Sequence, residues 1–333
     1  MSNEVRMELV CPAGTPATLR AAVQAGADAV YCGFRDETNA RNFPGLNFSP
    51  SEMKEAIRFA HDHGSRVLVA INTFARAQDP EPWRKAADIA SASGADAIIA
   101  ADIAVLDHMA TSHPDTRLHL SVQAAAATPE AIGFYAEAFH VRRVVLPRVL
   151  SVQEIAALNR AIAVETEAFV FGGLCVMMEG RCHLSSYASG RSPNLSGVCS
   201  PPESVNYFEE KGATTAQLSG FTIDRYEAGE PVGYPTLCKG QFKAAGKAGH
   251  LFEDPVSLNA GSMIVALRKA GVTALKIEGR QRGKGYVTQV VRAFREAVDA
   301  AEQGYDPLEI DRILAGMSEG GRQTTGAYRK TWR

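Results

Sequence analysis

One phrase returns along this chain and constrains its architecture more than anything else in it. Ala25-Gly26-Ala27-Asp28-Ala29-Val30 is echoed by Ser93-Gly94-Ala95-Asp96-Ala97-Ile98, and more loosely by Ala270-Gly271-Val272-Thr273-Ala274-Leu275. Each copy follows an amphipathic stretch and opens an apolar run. A glycine there takes the left-handed conformation that closes a helix. The run after it is short and rich in Val, Ile and Leu, as a strand covered on both faces must be. Every copy reads as a joint between a helix and a strand.

Following that rhythm gives eight strands: Glu8–Cys11, Ala29–Gly33, Arg66–Ile71, Ala97–Ala100, Arg117–Val122, Arg143–Leu146, Glu165–Phe171 and Ala274–Glu278. Helical patterns alternate with them near 15–25, 50–63, 81–93, 102–112, 128–138, 151–161, 259–270 and 284–302. Ser49 or Ser51, Asp102, Thr128 and Ser151 stand where N-caps belong. The alternation predicts an α/β chain closed as a (β/α)8 TIM-like barrel. An open doubly wound sheet is the competing architecture, but no Gly-rich dinucleotide turn follows the first strand.

One unit breaks the pattern. Residues 172–255 separate strand seven from the last strand–helix unit, too long a stretch to be a structureless loop in a compact domain. The expected organisation is a barrel from 1–171 plus 256–304, an insertion at 172–255, and a tail at 305–333 packed as an ordered loop or short hairpin. The insertion leaves from the C-terminal end of a strand, the face where barrel enzymes do their chemistry.

The insertion also holds Cys175, Cys182, Cys199 and Cys238, spaced Cys-x6-Cys-x16-Cys-x38-Cys; only Cys11 and Cys32 lie elsewhere. Met1-Ser2-Asn3-Glu4-Val5-Arg6 is not a signal peptide, so a cytoplasmic setting with reduced thiols is expected. Thiols crowded in such a chain are ligands more often than bridges. Structural zinc sites pair ligands two to four residues apart, and ferredoxins use Cys-x2-Cys; neither spacing is present. Longer gaps suit a [4Fe–4S] cluster whose ligands are gathered by tertiary structure. Zinc and scattered core cysteines remain the alternatives. Cys11 and Cys32 end strands with no other thiol beside them and read as core residues.

The chain is 46% hydrophobic and 22% charged, and its net charge of −2 gives no electrostatic case for nucleic acid. No stretch approaches the roughly 20 apolar residues of a membrane span.

Residues 167–185 carry a more specific signal. Glu167, Phe169, Gly172, Cys175, Gly180, Cys182 and Ser185 fit Glu-x-Phe-x2-Gly-[Ser/Ala]-aliphatic-Cys-x4-Gly-x-Cys-x-aliphatic-Ser. This resembles the signature of the collagenase-like peptidase family U32, with only Gly173 departing from it. Glu8–Gly14, Gly26–Tyr31, Tyr234–Gly240 and Lys276–Arg282 match as well. The stretches 36–48, 70–75, 144–151 and 323–328 resemble the ubiquinone-biosynthesis branch of that family. The resemblance implies a [4Fe–4S] cluster on Cys175, Cys182, Cys199 and Cys238. It also implies an oxygen-independent, anaerobic hydroxylation in ubiquinone biosynthesis, in a heterodimer with a UbiV-like sister protein. Prephenate is the implied oxygen donor. The ring substrate would be a prenylphenol or related quinone precursor, whose insoluble tail calls for a lipid-carrier protein or a peripheral membrane contact. A tRNA or rRNA hydroxylation protein of the same family is the alternative; those relatives are longer, so no nucleic acid is expected here. A non-catalytic cluster-bearing scaffold is the third reading.

Polar residues fall at the C-terminal ends of the expected strands. Asn39, Arg41, Asn72, Gln123, Arg148, Glu167, Glu278, Arg280 and Arg282 are the candidates for binding substrate or donor. The four arginines among them are forked donors suited to a carboxylate. Asp102 is also an N-cap candidate, Ser121 accompanies Gln123, and His119 sits inside strand five as a core histidine would. His183 follows a ligand cysteine and is a candidate donor to the cluster surroundings. No catalytic residue is assigned. A peptidase is not expected: Cys182 and His183 are sequence neighbours rather than a facing pair, and neither His-Glu-x-x-His nor Gly-x-Ser-x-Gly occurs.

Overall fold

A computed structural model describes residues 6–175, 182–307, 309–318 and 321–329. Val176 to Arg181, inside the signature stretch, lie outside the described residues. Seven strands alternate with six helices: β1 Glu8–Pro12, α1 Pro16–Gln24, β2 Ala29–Gly33, α2 Pro50–Asp62, β3 Arg66–Ile71, α3 Glu81–Ala92, β4 Ala97–Ala100, α4 Ile103–Ser112, β5 Arg117–Leu120, α5 Pro129–Phe139, β6 Arg143–Val145, α6 Val152–Ala161 and β7 Glu165–Gly173. The insertion contributes α7 His183–Ser189, α8 Pro193–Ser196, an antiparallel sheet of β8 Val205–Glu210, β9 Ala213–Leu218 and β10 Phe221–Tyr226, and a hairpin of β11 Gln241–Ala244 and β12 Lys247–His250. Then come β13 Ser257–Asn259, α9 Ile264–Lys269, β14 Ala274–Ile277, α10 Lys284–Glu302, α11 Ile310–Leu314 and β15 Gln323–Thr324.

β1 to β7 pair in order, all parallel, and β14 pairs in parallel with both β7 and β1. The sheet is therefore closed, an eight-stranded parallel barrel with helices around it. The recurring phrase explains part of the closure. Gly26, Gly94 and Gly271 all have positive φ, at 102°, 89° and 88°. The aspartate two residues on accepts a backbone N–H from the strand before: Asp28 Oδ2 from Leu9 at 2.8 Å, Asp96 Oδ2 from Val67 at 2.7 Å. The looser copy has Thr273 instead, which donates to the Thr166 carbonyl at 3.1 Å. Helix starts are fixed by caps. Ser49 with Glu52 and Ser151 with Glu154 form reciprocal capping boxes, and Asp102 and Thr128 accept from Ala104 and Ala131.

Three elements differ from expectation by more than one residue at an end. Strand seven continues past Phe171 to Gly173, because β13 pairs antiparallel with Phe171–Gly173. The helix expected at 259–270 starts only at Ile264: Asn259 Oδ1 accepts the Gly261 N–H at 3.0 Å and holds the chain in a tight turn first. Strand five stops at Leu120, where Ser121 caps a short 3-10 turn, Val122–Ala124. The tail forms no hairpin among its described residues. β15 pairs in parallel with β13, and the buried Tyr328 donates its hydroxyl to the Phe169 carbonyl at 2.6 Å.

The barrel interior is not purely apolar. Glu8, His119, Arg143, Glu167 and Lys276 are all buried in it. Lys276 Nζ stands 2.5 Å from Glu167 Oε1, and Arg143 reaches Glu8, Glu165 and Glu167. Buried charges of this kind persist because each is paired.

Candidate functional site

The C-terminal ends of β7 and β14 meet in a group of charges. Gly173, the last residue of β7, donates its N–H to Glu278 Oε2 at 3.2 Å, and its carbonyl accepts from Arg148 Nη1 at 2.6 Å. Arg41 Nε approaches Glu278 Oε1 at 3.8 Å. Burial alone would raise the Glu278 carboxyl. Arg41, Arg148 and Arg282, in that order, together with the Gly173 N–H, outweigh it and hold Glu278 below the ordinary glutamate range. The guanidinium of Arg148 also lies over the Phe169 ring at 4.6 Å, and that of Arg282 over Tyr286 at 5.2 Å. One carboxylate thus stands among three guanidinium groups at the barrel mouth.

The other strand-end residues brace a loop. Arg280 is buried and donates to Asn39 Oδ1 and to the Ala40 carbonyl. Asn39 Nδ2 donates to the Phe34 carbonyl at 3.0 Å, and Asn72 Oδ1 accepts the Ala40 N–H at 3.0 Å. These bonds set the chain up for Arg41, which has a φ of 83°, unusual for a residue with a side chain. Asn39, Asn72 and Arg280 are therefore positioning residues for Arg41. Asp102 caps α4 and also accepts the Ala75 N–H at 3.0 Å. Gln123 is buried, and its Oε1 has no hydrogen-bond partner among the described residues.

Glu167 needs a correction. It lies near the start of β7, not at its C-terminal end, and is fully buried against Lys276 and Arg143. The β-strand carries its side chain into the barrel interior, away from the mouth. His119 is equally internal; burial, then the neighbouring Arg143, Arg117, Lys276 and Arg66, push its pKa well down, so it stays neutral.

The insertion brings its thiols to the same rim. Cys175 stands two residues beyond Gly173. Burial pushes the Cys238 thiol up to about 12, and the neighbouring Cys199 and Cys175 thiols add to the shift, so these three are electrostatic neighbours. Tyr234 ties two of the segments together, donating its hydroxyl to the Ser200 carbonyl at 2.7 Å. Cys182 caps α7, its sulfur accepting the Ser185 N–H at 3.4 Å, and α7 packs on the turn Leu237–Lys239 that carries Cys238. His183 is exposed at the first turn of α7. Gly197 anchors the Cys199 segment to the barrel: its carbonyl accepts the Arg41 N–H at 2.6 Å.

Among the described residues, no three of the four sulfurs lie within 4.8 Å of one another. A tetrahedral zinc with 2.3 Å bonds needs sulfurs about 3.8 Å apart. An all-thiolate donor set is one that iron–sulfur clusters use. Cys11 and Cys32 take no part. Both are fully buried, and burial raises both thiols, Cys32 to about 12. Sequence reading missed Gly197, whose only signal is that it sits two residues before Cys199; Tyr234 opens the family-matching stretch Tyr234–Gly240 but had no role assigned to it.

The fold and rim together define a class: an α/β barrel protein with an arginine-ringed mouth and a thiol-bearing insertion beside it. Residues 14–325 match the model of peptidase family U32, and the chain belongs to that family. It is 31% identical over 346 residues to tRNA hydroxylation protein P of Escherichia coli (strain K12), covering 97% of this chain and 74% of that one. It is 30% identical over 322 residues to the 23S rRNA 5-hydroxycytidine C2501 synthase of the same organism, covering 94% of this chain and 42% of that one. This chain thus spans less than half the length of the synthase. Among solved structures, the U32 peptidase Mk0906 matches 51% of this chain and 71% of its own, at 19% identity and a TM-score of 0.43. No helix among the described residues is long and apolar enough to cross a membrane.

Proposed function

We propose that this chain is an iron–sulfur hydroxylation protein that works without O2. Cys175, Cys182, Cys199 and Cys238 hold a [4Fe–4S] cluster, and the mouth beside them binds a carboxylate-bearing oxygen donor. The observation that carries the reading is the shared position of Gly173. Its two peptide groups hold Glu278 and Arg148 in the mouth, and Cys175 follows two residues later. The cluster supplies one-electron chemistry when bound. Arg41, Arg148 and Arg282 bind and orient the donor by forked charge-assisted hydrogen bonds, for which prephenate, with its carboxylates, is suited. Glu278 sets their spacing and carries one negative charge against them.

For the substrate we favour the ring of a prenylphenol in ubiquinone biosynthesis, in a heterodimer with a UbiV-like sister protein. The stretches 36–48, 70–75, 144–151 and 323–328 support it, and so does the net charge of −2, which lacks the basic footprint of an RNA-binding surface. A second reading, hydroxylation of a tRNA or rRNA base, is favoured by the names of the relatives at 30–31% identity.

The test is a deletion of this chain's gene, grown without oxygen. Quinones and hydroxylated nucleosides are then measured from the same cells by mass spectrometry. Loss of ubiquinone with accumulation of an under-hydroxylated prenylphenol supports the first reading. Loss of a hydroxylated nucleoside with normal ubiquinone replaces it with the second. No change in either removes both.

A further inference from the structure

Far from the thiols, α3 and α4 pack side by side on the outer layer of the barrel. Asp88 projects from α3, His108 from α4, and His113 from the residue that caps the C-terminus of α4. Both imidazoles bring Nε2 to one oxygen, Asp88 Oδ1, each at 2.7 Å. The two rings meet edge to face, 5.9 Å between centroids at 70°. The three donor atoms lie within 4.8 Å of one another.

We propose that Asp88, His108 and His113 form a binding site for a divalent transition-metal ion of the zinc class, which clamps α3 to α4. Two neutral imidazoles and one carboxylate are a donor set that such ions favour, with water completing the shell. With bonds of about 2.1 Å, tetrahedral donors stand about 3.4 Å apart. Each Nε2 to Oδ1 separation then opens by about 0.7 Å, a small side-chain rotation. His113 is five residues from His108, a spacing that a straight helix does not bring face to face. Its backbone leaves the helix at φ −134°, ψ 56°, while its N–H still donates to the Met109 carbonyl at 2.9 Å. That cap turns its ring back toward His108. The histidine side chains are 20% and 26% exposed and Asp88 46%, so the open coordination positions face solvent on the aspartate side. In the metal-free site each Nε2 carries a proton that it donates to Asp88; in the loaded site that proton sits on Nδ1 and the Nε2 lone pair binds the ion.

The test is a Co2+ titration of anaerobically purified, cluster-loaded full-length protein, in which the clustered thiols are already occupied. The expected result is one equivalent bound with weak visible bands and no sulfur-to-cobalt charge transfer. The melting temperature should rise by about 4 °C at a hundredfold excess over Kd. His108→Gln, His113→Gln and Asp88→Asn should each lose the equivalent and the shift while keeping wild-type circular dichroism. Equal cobalt uptake by wild type and all three variants overturns the site, as does a wild-type melting temperature unmoved at millimolar Co2+.

Discussion

Gly173 and Glu278 are joined backbone to side chain at 3.2 Å across the ends of two neighbouring barrel strands, β7 and β14. A carboxylate fixed in that way by a peptide N–H and ringed by arginines has a lowered pKa, with Arg41 the largest lowering cause. The sign of the linkage follows. A depressed folded-state pKa contributes stability that is fully present above the unfolded value of about 4.3 and is lost as pH falls through the lower folded value. Glu278→Gln keeps the size and the acceptor but not the charge. We expect it to lower stability at pH 7 by about 2 kcal/mol and to flatten the acid limb of the stability curve below pH 5. Urea midpoints from pH 7 down to pH 3.5 measure both; an acid limb unchanged from wild type would show that Glu278 carries no such linkage.

The cysteine set separates two classes of thiol. Changing Cys175, Cys182, Cys199 or Cys238 to Ala should reduce iron in anaerobically purified protein from about four per chain toward zero. Cys32→Ala, in the buried wall beside Met53, should leave iron untouched and instead lower stability by about 1–2 kcal/mol through the lost packing. Iron and sulfide assays beside chemical denaturation distinguish the two outcomes. A Cys32 variant without iron, or a Cys238 variant with a full complement, would contradict the assignment.

Gly197 is one of the places where the thiol-bearing insertion touches the barrel. Its φ is 80°, and a Cβ there would stand 2.5 Å from the Asn39 carbonyl oxygen, which is backbone and cannot swing aside. Gly197→Ala should therefore shift the Cys199 segment and the Arg41 loop together. Iron content should fall by half or more while the barrel's circular dichroism persists. Iron retention equal to wild type would mean that the contact does not position the ligands.

How much of this was legible in the chain depends on the scale of the interaction. Three barrel strands are legible because each is a short apolar run two or three residues after a glycine of positive φ, Gly26, Gly64 or Gly94, a local signal. Ala29–Gly33, Arg66–Ile71 and Ala97–Ala100 coincide with the expected limits. β13 was not readable: three residues paired with the overhanging end of β7 carry no periodicity of their own, and only the tertiary fold makes them a strand. The arginines at the mouth could be named from their places after strands. The roles of Asn39, Asn72 and Arg280 as braces depend on contacts more than 30 residues apart, such as Ala40 with Asn72. Glu167 stands third in the expected strand Glu165–Phe171 as in the observed one, so its place at a C-terminal strand end does not follow from the strand limits; its contacts with Lys276 and Arg143, more than 20 residues away in the chain, show that it belongs to the interior.

That interior predicts its own mutational behaviour. Lys276 is buried, and its ammonium stands 2.5 Å from Glu167 and 3.9 Å from the centroid of the Tyr31 ring. Lys276→Met removes one partner and leaves Glu167 with Arg143 alone at 3.4 Å. The expected loss is about 3–5 kcal/mol, because an incompletely compensated carboxylate remains buried. Lys276→Met with Glu167→Gln should recover part of it. A double variant no more stable than the single one would show that the pair is not coupled.

His119 supplies the clearest pH signature. It is 2% exposed, and its Nε2 accepts from Arg117 Nε at 3.0 Å, which places the ring proton on Nδ1. Burial is the main cause of its lowered pKa; four cations, Arg143, Arg117, Lys276 and Arg66, add to it. The folded protein thus declines a proton that the unfolded chain accepts near pH 6.5. A histidine held neutral contributes stability above that pH and loses it below, at a limiting slope of about 1.4 kcal/mol per pH unit until the folded pKa is reached. His119→Gln can still accept from Arg117 but does not titrate. Between pH 7.5 and 5.5 the wild type should therefore lose about 1.4 kcal/mol more than the variant. Urea midpoints at those two pH values measure the difference, with cluster content matched between the proteins. Equal losses would mean that His119 is protonated in the fold, and that its cationic neighbours are screened from it.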